Sequence, residues 1–169
     1  MLAFQIGQIV SINELSNALG VRRPTVEKYL RLLEQSYIIK RVHTYSRNGR
    51  NELKKAFKVY FIDLGIRNAV IDSLLEVDER PDKGHLFENF VFLELLKQHA
   101  HEAFPPQIYF WRTDTKLEID FILYKNEKIR AIETKWQNEA VSFKKFQSLY
   151  PDATIEVISV ETFTKDSAQ

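Results

Sequence analysis

Residues 117–136 constrain the fold more than any other stretch. Leu117–Tyr124 and Ile129–Trp136 alternate apolar and polar side chains with a period of two, which is the pattern of β-strands. The polar turn Lys125-Asn126-Glu127-Lys128 lies between them and fixes the register of a hairpin. With Lys125 facing Lys128, Asp120 falls opposite Glu133 and Glu118 opposite Lys135. One face then carries Glu118, Asp120, Glu133 and Lys135, together with Ile122 and Ala131. The other carries Leu117, Ile119, Phe121, Leu123, Ile132, Thr134 and Trp136, and alternation this regular predicts one face on a core.

Carboxylates directly opposed on a sheet repel each other. Exposure to water, a raised pKa on one partner or a divalent cation between them relieves the repulsion. Magnesium takes oxygen ligands from one or two carboxylates and keeps several waters. It can also bind a scissile phosphate and lower the pKa of a bound water. Lys135 on the same face suits charge stabilisation on that phosphate. The competing reading is an exposed face with a Glu118–Lys135 salt bridge, worth about 0–1 kcal/mol.

Composition narrows the classes. The chain has 169 residues, 44% hydrophobic and 28% charged, enough for one ordinary domain or two small ones. No run approaches the roughly 18 apolar residues of a membrane helix, and no secretory signal pattern is present. The absence of cysteine excludes disulfides and thiolate zinc sites, which fits the expected cytoplasmic location. His43, His85, His99 and His101 lack the spacing of a helical zinc site, so a metal must rely on carboxylates.

The net charge of +1 hides an asymmetry. Residues 1–76 carry twelve Lys/Arg and seven Asp/Glu, net +5; residues 77–169 carry twelve and sixteen, net −4. A basic half joined to an acidic one suggests two modules with different partners, with the join near the polar stretch Val77–Gly84.

In the basic half, residues 13–34 read as two helices around a tight turn. Asn13 is the expected N-cap, Gly20 makes the turn, Val21 fills the space between the helices and Pro24 opens the second. Val26, Tyr29, Leu30 and Leu33 recur at helical spacing. Tyr37–Val42 and Lys58–Phe61 form strands joined through a basic loop with Asn48-Gly49 at its turn. Three helices closed by such a hairpin make a winged helix-turn-helix. As a DNA-binding unit it presents Arg22, Arg23, Thr25, Glu27, Lys28 and Arg31 from its second helix to the major groove, and Arg47, Arg50 and Lys54 from its wing to phosphates. The same fold also serves as a docking or spacing module.

In the acidic half, Gly84–Ala100 reads as a largely buried helix carrying Glu88, which either favours the helix N-terminus or points into a metal site. After Pro105-Pro106 come strands over Gln107–Arg112, Leu117–Tyr124 and Ile129–Trp136. A helix over Val141–Leu149 and a strand over Thr154–Val160 complete the order.

Glu88 in an early helix, Asp120 ending a strand and Glu133-Thr134-Lys135 in the next resemble the PD-(D/E)XK nuclease superfamily. More closely, the chain resembles the C-terminal part of a family of prokaryotic AAA-type ATPases. The stretches are Pro24-Thr25-Val26 with Tyr29-Leu30, Lys58–Gly65, Gly84–Val91, Tyr109–Arg112, Glu118–Phe121 and Glu133–Lys135. The resemblance implies an α+β or α/β chain with a winged helix-turn-helix over residues 1–76. A restriction-endonuclease-like αβββαβ domain would follow over residues 77–169. It further implies that Asp120 and Glu133 bind Mg²⁺ or Mn²⁺, that Lys135 is the catalytic lysine and that Glu88 completes or supports the site. DNA and the family's ATPase domain are the implied partners. No Gly-x-x-x-x-Gly-Lys-Ser/Thr occurs, so this chain has no ATPase site of that kind. Two functions stay open: Mg²⁺-dependent DNA cleavage, or an inactive module that docks DNA or a partner.

Overall fold

The computed structural model describes residues 1–46 and 56–166, with side chains as far as residue 164. Among these residues, two sheets and six α-helices make a mixed α+β architecture. A 3-10 turn (Leu2–Phe4) and strand β1 (Ile9–Val10) precede α1 (Ile12–Leu19) and α2 (Arg23–Gln35). Ser11, not Asn13, caps α1. Its backbone is extended and its side chain accepts the Glu14 N–H at 3.3 Å, while Ile12 is drawn against the core as the first helical residue. Gly20 ends α1 with φ +63, a left-handed turn that glycine adopts without strain. Val21 does not fill the interhelical space; it is 37% exposed. The turn is closed instead by Ser16, whose hydroxyl donates to the Val21 carbonyl at 2.6 Å.

Strands β2 (Ile39–His43) and β3 (Phe57–Phe61) pair antiparallel, and β1 flanks β3, so β3 is central with all five residues buried. Tyr37, expected in a strand, is exposed with φ +54 and belongs to the turn before β2. The predicted Asn48-Gly49 turn, with Arg47, Arg50 and Lys54, lies outside the described residues. Helix α3 (Leu64–Val70) begins where the Asp63 carboxylate accepts the Ile66 N–H at 2.7 Å.

A 3-10 turn (Val77–Glu79) leads into α4 (Lys83–Gln98), then β4 (Gln107–Arg112), β5 (Glu118–Lys125) and β6 (Lys128–Lys135). Helix α5 (Lys144–Leu149) crosses over to β7 (Thr154–Ser159), which lies parallel to β6. Helix α6 (Val160–Asp166) lies beyond the last element that the sequence pattern predicts. Asn126 and Glu127, both at positive φ, form the two-residue turn of the β5–β6 hairpin. The predicted register holds from Lys125↔Lys128 to Phe121↔Ile132.

Beyond that point the single polar face does not form. Tyr109 of β4 pairs with Ile122, but Trp111 pairs with Ile119. Asp120 and Phe121 thus oppose one residue, a bulge that reverses the alternation of β5. Ile119 and Ile122 both join a core with Phe146 of α5, whereas Phe121, Leu123 and Ile132 pack with Phe87 and Phe92 of α4. Both faces of the sheet are therefore covered, not one.

The two sheets meet. Val42 and Tyr60 share a core with α4 and β5, and Tyr60 stacks on Phe92 with ring centroids 4.5 Å apart. Asn89 of α4 accepts the Phe61 N–H and donates to the Phe61 carbonyl, both at 2.8 Å. Gly7 lies against the same helix at φ +67, and a Cβ there would sit 2.6 Å from Glu88 Oε2. Gly7→Ala is expected to lower stability by at least about 1 kcal/mol, from left-handed strain and the clash together. Urea unfolding checks it.

Candidate active site

Strand β3 sends Lys58 towards the second sheet. Its backbone is held on both sides, by Ile9 of β1 and Val42 of β2. The side chain is 1% exposed, and its ammonium lies 3.0 Å from Glu88 Oε1, 2.6 Å from Glu118 Oε1 and 3.5 Å from Asp120 Oδ1. Burial opposes the charge on Lys58, but Glu88, Asp120 and Glu118 outweigh it and hold the ammonium protonated above the ordinary lysine range.

Glu88, on the first turns of α4, is buried. Its Oε1 accepts from Lys58 and, at 2.5 Å, from the Tyr60 hydroxyl, while Oε2 lies 3.6 Å from His85 Nδ1. Burial alone would raise the Glu88 carboxyl, but the Lys58 charge and the hydrogen bonds from His85 and Tyr60 hold it below the usual range. Each oxygen thus faces a partner from this chain.

Asp120 sits at the bulge, where the β5–β6 ladder stops. Its Oδ2 accepts both the Thr134 N–H and the Thr134 hydroxyl at 2.8 Å. Burial and the Glu88 charge push its carboxyl up to about 7, with Lys58 opposing and Glu133 adding to the rise. Glu133 is also raised, chiefly by burial, against the pull of Lys135. Lys135 donates to Glu133 Oε1 at 2.9 Å and keeps its side chain 30% exposed. Burial works against the Lys135 charge, and Glu133 outweighs it, so its ammonium is held above the usual range. Glu118, which the hairpin register sets opposite Lys135, instead pairs with Lys58 and with Arg112 at 3.3 Å.

The donor set fits a divalent ion at Asp120 and Glu133. Glu133 Oε2 is buried with no hydrogen-bond partner, a state that costs free energy unless something pairs with it. Burial pushes both carboxyls towards protonation, and the Glu88 charge adds to the rise at Asp120; a bound cation would offset that cost. Two carboxylates suffice for magnesium, which fills its remaining positions with water. Glu88 fits less readily, since Lys58 and Tyr60 take Oε1 and His85 faces Oε2; Asp120 is also engaged, by Thr134 at Oδ2 and more loosely by Lys58 at Oδ1. Among the described residues, no group of three or more His, Cys, Asp or Glu side chains is arranged to hold a metal.

On the basic half, Arg22, Arg23, Lys28 and Arg31 are exposed and Thr25 and Glu27 are half-buried, all at or on α2. Arg47, Arg50 and Lys54 fall outside the described residues. Sequence reasoning missed Lys58 and Tyr60 as site residues. Their signal was present: a lysine and a tyrosine two positions apart share one face of an otherwise apolar strand. It also missed the ion cluster in front of α4. There, buried Arg67 donates to the Ala3 carbonyl at 2.7 Å and to Asp82 at 2.5 Å. Buried Arg80 donates to the Ser73 carbonyl at 2.6 Å and to Asp82 at 2.9 Å.

Residues 1–78 match the family model described as "Domain of unknown function (DUF8612)", and residues 83–166 match "Domain of unknown function (DUF4143)". Uncharacterized proteins of Mycobacterium bovis and Mycobacterium tuberculosis are each 28% identical over 137 residues, covering 80% of this chain and 30% of the relative. An uncharacterized protein of Haemophilus influenzae is 29% identical over 141 residues, covering 80% of this chain and 32% of its own length. No solved structure matches. The chain is therefore similar to two successive domains of unknown function, and spans about a third of the length of the curated relatives it matches.

Proposed function

We propose that this chain is the C-terminal portion of an AAA-type ATPase, a winged helix-turn-helix joined to a restriction-endonuclease-like domain that hydrolyses DNA phosphodiesters with Mg²⁺. The observation that carries the reading is the unpartnered Glu133 Oε2, buried near Asp120, with Lys135 in contact and partly open to solvent. Asp120 and Glu133 would hold the ion, which when bound activates a water and polarises the phosphate. Thr134 fixes the Asp120 carboxylate by two hydrogen bonds. Lys135, already protonated against Glu133, is placed to hold negative charge that develops on the phosphate. The exposed cations of α2 would engage the DNA backbone and groove.

A second reading, an inactive docking module, draws on two observations. Lys58 already neutralises much of the acidic cluster. In addition, an apolar groove of about 620 Å³ lies open between the helices of the N-terminal half, lined by Leu19, Val21, Tyr29, Ile66 and Val70 among others. The remainder of a longer chain would be its occupant.

Linear and supercoiled DNA, incubated with the protein in Mg²⁺, in Mn²⁺ and in EDTA, separate the two. Cleavage that needs the metal and is lost in Asp120→Ala and Lys135→Ala is the expected result. Cleavage surviving both substitutions rejects the site, and binding without cleavage selects the docking module.

A further inference from the structure

The ammonium of Lys58 has three N–H donors, and three carboxylates from α4 and β5 lie within 3.5 Å of it. Donors and acceptors match in number. The lysine comes from the other sheet, and its strand is paired on both edges, so the backbone that presents the charge is fixed. Its nitrogen is also 5.6 Å from the Phe110 ring centroid, whose face favours a cation. A fully buried cation among several acids is the electrostatic role that a metal ion plays in such clusters.

We propose that Lys58 is the resident cation of this centre: its ammonium fills the place that a second divalent ion would otherwise take, and it ties the acidic cluster to the N-terminal sheet. The inference rests on the reading above only for the ion at Asp120 and Glu133; the pairing of Lys58 with Glu88 and Glu118 stands apart from it. Lys58 is a positioning residue. It touches Asp120 Oδ1 and leaves Oδ2 to Thr134, so it sets how that carboxylate is presented. A one-ion site follows, in which the fixed ammonium does the work of the missing partner ion.

Lys58→Met keeps an unbranched side chain, one atom shorter, and removes the charge, leaving Glu88, Glu118 and Asp120 without the Lys58 counter-ion. Titration calorimetry with Mn²⁺ alone is expected to show one more ion per chain in Lys58→Met than in the native protein. The variant's thermal unfolding temperature should fall in EDTA and recover in excess Mg²⁺. Lys58→Arg, which keeps a buried cation, should show neither the extra ion nor the Mg²⁺-dependent recovery. Equal Mn²⁺ stoichiometry in Lys58→Met and native protein would overturn the proposal. So would a Lys58→Met chain that stays unfolded whether or not Mg²⁺ is present, since the ion then fails to replace the lysine. If the native protein binds no Mn²⁺ and cuts no DNA, the nuclease reading fails, while the extra ion in Lys58→Met still supports the role of Lys58.

Discussion

Asp82→Ala is expected to destabilise the protein by about 3–5 kcal/mol, the range for removing one partner of a buried ion cluster. Arg67 and Arg80 are 1% and 2% exposed, and both donate to the one Asp82 carboxylate. Neither arginine can lose its charge, so the substitution strands two buried cations. For a chain of this size the melting temperature should fall by roughly 6–20 °C, measured by calorimetry or circular dichroism. Asp82 precedes α4, while Arg67 lies on α3 and reaches the Ala3 carbonyl. The loss should therefore loosen the contact between the N-terminal segment and the helix that carries Glu88. Burial raises the Asp82 carboxyl, but hydrogen bonds from Arg80 and Arg67 outweigh it and hold it below its ordinary value of 3.8. A depressed folded-state value means stability that is fully present above 3.8 and lost as the pH falls through the folded value. The native protein should show that acid-side loss more steeply than Asp82→Asn.

The second large effect is on the cleavage proposed above. Lys135→Ala is expected to slow DNA cleavage by about 10²–10³-fold, the loss seen when one preorganised charge-stabilising donor is removed, or roughly 2.7–4 kcal/mol in the barrier. Asp120→Asn should lose at least as much, because it removes a ligand charge and leaves the Thr134 N–H and hydroxyl facing a poorer acceptor. Both variants should keep the native fold. Lys135 is partly exposed, and the Asp120 carboxyl, pushed up to about 7, gains little from its charge in the folded state. Single-turnover cleavage with excess protein separates a slowed chemical step from weakened DNA binding.

The hairpin was legible because a two-residue turn at positive φ and a period-two pattern each fix the register locally, and they agree down to Phe121↔Ile132. The bulge was not, since it arises from the fit of β5 to β4 rather than from the hairpin itself. That one extra residue moves Glu118 and Asp120 towards α4 and Lys58. Glu88, Asp120, Glu133 and Lys135 were singled out from their order in the chain, whereas Lys58 and Tyr60 were read only as strand residues. Their role depends on the N-terminal sheet packing onto the second, a long-range contact that no local pattern encodes. Helix α2 was found from its apolar spacing and Pro24, although Tyr29 of that stripe is 62% exposed at the open groove.

Mn²⁺ titration of the native chain beside Asp120→Asn and Glu133→Gln, read by calorimetry or by the free-ion electron paramagnetic resonance signal, tests the site without relying on any substrate. One ion per native chain, lost or weakened at least tenfold in each variant, is the predicted result. No ion in the native chain, or an ion bound equally well by both variants, would contradict a metal centre at Asp120 and Glu133.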